Sequence, residues 1–201
     1  MLQDERAQAH GRSETEPLTY GAYLRVPELT SLQTPLGNPP VHDEMLFIIV
    51  QQAQELWFKQ ILWDMKEIIR ALQSGEVFEA IRLLQRSVRI LQALILEVQI
   101  LATMPPKAFQ GFRRVLSPAS GFESFQFREL ELASGLADPT FLKLIERHIG
   151  LGNLTNDWPV TLRDAAYGVL TREIGPDATE AWTQVYRMTK DPELSGIVAN
   201  V

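Results

Sequence analysis

The sequence predicts an all-α fold, in which a long antiparallel helix pair is surrounded by shorter packed helices. Apolar residues recur at steps of three and four over two stretches of about 30 residues, and strand signals are nearly absent. With 45% hydrophobic and 22% charged residues in 201, the composition is that of a folded globular protein. We expect one all-helical domain over residues 17–201, preceded by a polar, flexible arm over residues 1–16.

The first long helix is predicted over residues 42–72. The trio His42, Asp43 and Glu44 stands at its start, where acidic residues favour the helix N-terminus. The same trio could ligate a metal ion, but adjacent helical residues point in different directions, which favours the helix-start interpretation. The apolar stripe that we expect to face the core is Met45, Ile49, Ala53, Leu56, Ile61 and Met65.

The second long helix is predicted over residues 76–103, and Ser74-Gly75 forms the turn before it. Because this turn is short, the two helices should pair as antiparallel neighbours. Trp57 and Trp63 on the first helix are assigned to the core and to helix–helix packing. The stripe expected to pack on the second helix is Phe78, Ile81, Leu84, Val88, Leu91, Ile95 and Val98.

Shorter helices are predicted over residues 107–116, 122–134, 138–149, 160–174 and 178–188. The proline-rich segment 17–40 is expected to be extended or partly helical. Its apolar residues predict that it docks on another surface, and they are Leu18, Tyr20, Tyr23 and Leu24.

Composition excludes several functional classes. A net charge of −6 with no basic block leaves no footprint for nucleic acid. The absence of cysteine excludes disulfides, iron–sulfur clusters and cysteine nucleophiles. We expect a cytoplasmic protein with no membrane partner, because no apolar run is long and uncharged enough to span a bilayer and the N-terminus has no secretory signal. No phosphate-binding glycine loop, nucleophile elbow or HExxH motif occurs.

Arg113 lies in the apolar string FQGFRRVL. An arginine among apolar residues needs a carboxylate partner, so it either forms a salt bridge or binds the carboxylate of a ligand. The residues alone favour the salt bridge.

Three blocks of sequence carry a resemblance to a known family. They read LTYGAYLRVPELTSLQTP, then NPPVHDEMLFIIVQQAQELWFKQILWDM, then FQGFRRVLSPASGFESFQFRELE. In this order they resemble the tryptophan 2,3-dioxygenase family, haem enzymes that open the indole ring of L-tryptophan with O₂. The resemblance covers residues 18–132. It implies a helical haem dioxygenase of tryptophan catabolism that forms N-formylkynurenine in the kynurenine pathway.

The resemblance also implies roles for individual residues. Phe47 matches a residue that lines the indole pocket, and Arg113 matches the arginine that holds the substrate carboxylate. Ser120 and Gly121 match the loop beside haem and substrate.

The N-terminal block implies an assembly of several subunits. Tyr20, Tyr23 and Leu24 match a segment that, in this family, reaches into the pocket of a neighbouring subunit. The expected assembly is therefore a homo-oligomer, typically a tetramer, in which segment 17–40 contacts a neighbour.

The chain departs from the family pattern at three places. Gln51 stands where the family has its distal histidine, and an amide cannot act as a base at neutral pH. Phe109, which the resemblance places with Phe47 on either side of the indole ring, replaces a tyrosine and so lacks its hydroxyl group. Neither His10, His42 nor His148 matches the axial haem histidine, so no metal ligand is identified.

Two functions remain open from the sequence. One is the haem-dependent ring opening of L-tryptophan. The other is a haem-free, dioxygenase-like binding or assembly subunit that recognises an indole or an aromatic amino acid without catalysis.

Overall fold

The computed structural model describes residues 17–136, 142–143 and 158–175. The predicted arm 1–16, most of the predicted helix 138–149 and the predicted helix 178–188 lie outside these residues. Within the described ranges the chain is helical and has no strand, which confirms the all-α prediction. The α-helices are α1 (Tyr20–Leu24), α2 (Val26–Leu29), α3 (Asp43–Gln73), α4 (Val77–Leu101), α5 (Pro106–Leu116), α6 (Phe125–Ser134) and α7 (Leu162–Ile174).

The long pair α3 and α4 forms the framework, as predicted, and reverses direction at Ser74 and Gly75. Gly75 has φ of 80°, a left-handed conformation that costs glycine little. The N–H of Glu76 donates a hydrogen bond to the carbonyl of Ala71 at 2.8 Å, which closes the turn. The short connection therefore holds the two helices side by side.

The core lies along α3, where α4, α6 and α7 pack against it. The C-terminal half of α3 supplies most of it, which confirms the predicted core positions Ile61 and Met65. Trp158, which precedes α7, is also buried and donates its indole N–H to Glu129 Oε1 at 2.9 Å. The remaining buried apolar members are Leu62, Ile68, Ile69, Ala71, Leu72, Ala80, Leu83, Ile90, Leu94, Leu130, Ala133 and Ala165.

The face of α4 that packs on α3 differs from the predicted stripe. Phe78 is 91% exposed, and only Leu84 of the stripe packs against the core. Both sides of α4 are apolar, so periodicity alone could not select the buried side. The buried side consists of Ala80, Leu83, Ser87, Ile90 and Leu94.

The N-terminal half of α3 also departs from the prediction. Met45, Ile49 and Leu56 are exposed, because α5 and the segment that precedes α3 pack on other sides of this half of the helix. The assignment of Trp63 to the core was wrong, because it is 74% exposed. Trp57 is also exposed and not a core residue, but it contributes to the contact between the two helices by donating its N–H to Glu97 Oε1 on α4 at 3.0 Å. An apolar surface thus runs along the outside of the pair.

Caps define the shorter helices. The predicted helix 122–134 begins as a 3₁₀ turn at Gly121–Glu123, and α6 starts after Ser124, whose hydroxyl accepts the N–H of Phe127 at 3.2 Å. Thr161 and Asp164 form a capping box at the start of α7. In segment 17–40 the short helices α1 and α2 confirm a partly helical structure.

No single helix among the described residues is long and apolar enough to cross a membrane. The adjacent helices α4 and α5 reach the length and apolar composition of a membrane-spanning segment only when taken together, and they meet at a bend of 105°.

Candidate substrate-binding site

Three phenylalanines join α5 to the N-terminal half of α3. The ring centroid of Phe47 on α3 lies 5.9 Å from that of Phe109 and 5.5 Å from that of Phe112, both on α5. Phe109 and Phe112 meet edge to face at 5.4 Å. Phe112 is fully buried, whereas Phe47 and Phe109 remain partly exposed. The structure therefore places the two predicted ring-binding residues, Phe47 and Phe109, in contact with each other and with the buried ring of Phe112.

Sequence reasoning missed Phe112. It lies three residues after Phe109, a spacing that brings side chains to neighbouring positions of one helix face. This spacing could have indicated from the sequence that Phe112 lies beside Phe109.

Glycine allows α5 to approach the start of α3. A Cβ at Gly111 would lie 2.9 Å from Cγ2 of Val41, closer than side-chain carbons normally approach. Pro105 and Pro106 begin the helix, where proline is tolerated because the first N–H groups have no helical partner. Local sequence thus sets both the start of α5 and its distance from α3.

Polar side chains follow each ring by one helical turn. Gln51 follows Phe47 on α3, and Arg113 follows Phe109 on α5, so each polar residue shares a face with its ring. Arg113 is exposed, and its side chain makes no hydrogen bond or ion pair with any described residue. The salt-bridge interpretation of Arg113 therefore finds no partner in this part of the chain.

Ser120 and Gly121 lie in the connection from α5 to α6. Both are exposed, and the N–H of Ser120 is directed to Glu123 Oε2 at 3.3 Å. The connection begins after Leu116, three residues beyond Arg113, and leads into α6, which packs on α3.

Glu55 and Gln126 fasten α6 to α3 near this site. The amide nitrogen of Gln126 donates to the Glu55 carbonyl at 2.9 Å and to Glu55 Oε2 at 2.8 Å. Glu55 lies one turn after Gln51. The pairing was not predicted, because a contact across 71 residues leaves no periodic signal in the sequence.

The predicted intersubunit residues Tyr20, Tyr23 and Leu24 all lie on α1 and are exposed. Neither tyrosine makes a ring contact with Phe47 or Phe109 in the described chain. The structure of one chain therefore does not bring these three residues to the phenylalanine cluster.

The histidine and carboxylate donors of the described residues do not assemble a metal site. His42 is the only histidine among them; its ring is fully exposed, with Nδ1 3.6 Å from Asp43 Oδ1. Glu44 turns away and is buried, so the trio does not converge, and no other group of three such donors occurs in these ranges. His10 and His148 lie outside the described residues. The donors present here do not fit an axially ligated haem.

Comparison with known proteins places these features in a family. The sequence model described as "Tryptophan 2,3-dioxygenase" matches residues 4–147. A tryptophan 2,3-dioxygenase of Herpetosiphon aurantiacus is 35% identical over 176 residues, which cover 83% of this chain and 68% of that protein. One from a Nocardioides species is 46% identical over 130 residues, covering 63% of this chain and 49% of the relative.

A third relative is a tryptophan 2,3-dioxygenase of Xanthomonas campestris, 43% identical over 127 residues, covering 63% of this chain and 43% of that protein. The chain therefore spans about half the length of the last two relatives. The matched region contains α1 to α6 and every residue of the phenylalanine cluster. The chain belongs to the tryptophan 2,3-dioxygenase family.

Proposed function

We propose that this chain acts in the oxidative opening of the indole ring of L-tryptophan by O₂, which yields N-formylkynurenine. One observation carries the assignment of substrate binding to the described residues. The exposed guanidinium of Arg113 has no partner among them and lies one turn from Phe109, whose ring contacts Phe47.

Arg113 can bind the substrate carboxylate through two parallel N–H···O bonds, because the guanidinium is planar and permanently charged. The partly exposed rings of Phe47 and Phe109 offer an aromatic surface for the indole. A zwitterionic amino acid with a large flat side chain fits both features.

Gln51 and Phe109 limit what the described residues can do to the substrate. The Gln51 side-chain oxygen can accept the indole N–H, but the amide cannot remove that proton at neutral pH. Phe109 carries no hydroxyl group. We therefore assign these residues to binding and orienting tryptophan, together with Ser120 and Gly121 in the adjacent loop. The haem cofactor of the proposal has no ligand among the described residues.

The proposal includes a cytoplasmic homo-oligomer, expected to be a tetramer. The exposed aromatic residues of α1 support an assembly, as do the exposed apolar sides of α3 and α4. A neighbouring subunit would cover these surfaces and bring Tyr20, Tyr23 and Leu24 to the substrate.

The lack of a haem ligand among the described residues supports a second function. Because the only described histidine points to solvent, a haem-free subunit that binds an indole or an aromatic amino acid is the alternative.

Titration of the purified chain with haemin and L-tryptophan separates the two functions. Histidine-ligated haem together with N-formylkynurenine formation under O₂ supports the dioxygenase. Calorimetric binding of L-tryptophan without such haem binding or turnover supports the binding subunit. A chain that binds no L-tryptophan in either state overturns both.

A further inference from the structure

Glu44 binds the backbone of the segment that precedes α3. Its side chain is 1% exposed, and its Oε1 and Oε2 accept the N–H groups of Leu36 and Gly37 at 2.7 and 2.8 Å. A Cβ at residue 37 would lie 2.7 Å from Glu44 Oε2 and 3.5 Å from Cβ of Phe112. Glycine at this position therefore lets the segment rest on both the carboxylate and the aromatic cluster.

Gln52 binds the same segment farther along α3. Its amide nitrogen donates to the Leu32 carbonyl at 3.3 Å, and its oxygen accepts from Gln33 Nε2 at 2.5 Å. Gln33 also donates to the Leu29 carbonyl at 3.0 Å, at the end of α2. The hydrogen bonds of Gln52 thus extend, through Gln33, to the end of α2.

The two attachment points have matching spacings. Eight residues separate Glu44 from Gln52, which is about 12 Å along a helix. Four residues separate Leu32 from Leu36, about 13 Å of extended chain. The segment therefore runs antiparallel to the first turns of α3, pinned at both ends.

Hydrogen bonds, more than apolar burial, hold the segment that carries α1 and α2 on α3. Neither α1 nor α2 contains a buried residue. A buried carboxylate with two N–H donors is a strong anchor, since hydrogen bonds to a charged group contribute more than neutral ones. The direction in which α1 leaves the helix pair consequently depends on Glu44 and Gln52.

We propose that Glu44 and Gln52 are positioning residues that clamp segment 29–37 on α3 and thereby present Tyr20 and Tyr23 to the substrate pocket of a neighbouring subunit. The proposal rests on the proposed function, because it takes the neighbour's pocket as the destination of α1. It adds the residues that set the position of α1 although they need not touch substrate.

The test compares Glu44→Gln and Gln52→Ala in the full chain with Glu79→Gln, which removes an exposed carboxylate from a surface ion pair on α4. Amide hydrogen exchange reports the clamp directly. We expect exchange at residues 36 and 37 to become about tenfold faster or more in Glu44→Gln, as for the loss of one charged hydrogen bond. Exchange there should be unchanged in the control, and unchanged exchange in Glu44→Gln would overturn the clamp.

A double-mutant cycle tests whether the clamp positions Tyr20 and Tyr23 for substrate binding. Glu44→Gln should weaken L-tryptophan binding about fivefold or more in the otherwise wild-type chain, but should add no further loss when Tyr20 and Tyr23 are both alanine. A purely structural role would weaken binding equally in both backgrounds and would overturn the positioning role. If the wild-type chain binds no L-tryptophan, the proposed function fails and the positioning role fails with it, while accelerated exchange would still establish the clamp.

Discussion

The rings of Phe47 and Phe109 lie with their centroids 5.9 Å apart and tilted by 45°, and this contact joins the start of α3 to α5. Each ring is followed after one turn by a polar residue, Gln51 or Arg113. The contact therefore sets the positions of the two polar side chains that we assign to the indole N–H and to the carboxylate.

The stability of this arrangement depends on Phe112. The side chain is fully buried and contacts both other rings, so Phe112→Ala leaves a cavity under the site. We expect the free energy of unfolding to fall by about 3–5 kcal/mol in urea titrations. Val115→Ala, an exposed position on the same helix, should change it by less than about 0.5 kcal/mol. Equal losses would show that Phe112 does not support the site.

The buried carboxylate of Asp64 ties α3 to α4. Arg86 Nε donates to Asp64 Oδ2 at 2.8 Å, and Gln60 donates to Oδ1 at 3.0 Å. Because Arg86 is half-exposed, we expect Arg86→Ala to cost about 1–3 kcal/mol of unfolding free energy, less than for a fully buried pair.

Arg82→Ala provides the control for Arg86. It breaks only the exposed pair with Glu79 and should cost less than about 1 kcal/mol in the same urea titrations. Adding Asp64→Asn to Arg86→Ala should recover part of the lost stability, since it removes the buried charge. A double variant less stable than Arg86→Ala would refute this account.

The capping box of α7 makes a pH-dependent contribution. Hydrogen bonds from the Thr161 N–H and hydroxyl lower the pKa of Asp164 below its ordinary value of 3.8. The contribution is therefore complete above pH 3.8 and is lost as the pH falls through the lower folded-state pKa. Asp164→Ala should cost about 0.5–1 kcal/mol at pH 7. Thermal unfolding of both proteins should show the difference shrinking below pH 3.8; a constant difference would exclude a role for the charge.

Helix α1 is predicted to contribute to assembly. Deletion of the residues before Pro27 removes α1, whose tyrosines are exposed in the single chain. Light scattering coupled to size exclusion should show an oligomer for the full chain and a smaller species for the deletion. A full-length monomer whose state is unaffected by the deletion would contradict the proposed assembly.

The sequence was sufficient to predict the helix pair, because apolar periodicity and Gly75 mark the two helices and their turn. It was not sufficient to predict which side of α4 is buried. Phe78 and Ile81 continue an apolar stripe as well as Ala80 and Leu83 do, and only the tertiary structure shows that Ala80 and Leu83 are the buried ones.

The candidate site was accessible from sequence where it depends on residue type and helical spacing. Arg113 and Phe47 follow from the blocks that resemble the family, and the structure places Phe47 against Phe109. The role of Glu44 was not accessible, because its partners are backbone N–H groups that no side-chain pattern identifies. Acidic residues at a helix start usually have only a local explanation.

Calorimetric binding of L-tryptophan and of tryptamine, which lacks the carboxylate, to wild type and to Arg113→Leu tests the central claim most directly. We expect Arg113→Leu to weaken L-tryptophan binding about 10- to 100-fold, as for the loss of a charge-assisted bidentate contact, and to leave tryptamine binding unchanged. Arg114→Leu, the adjacent exposed arginine, should affect neither ligand. Equal weakening of both ligands by Arg113→Leu would contradict the assignment of Arg113 to the substrate carboxylate.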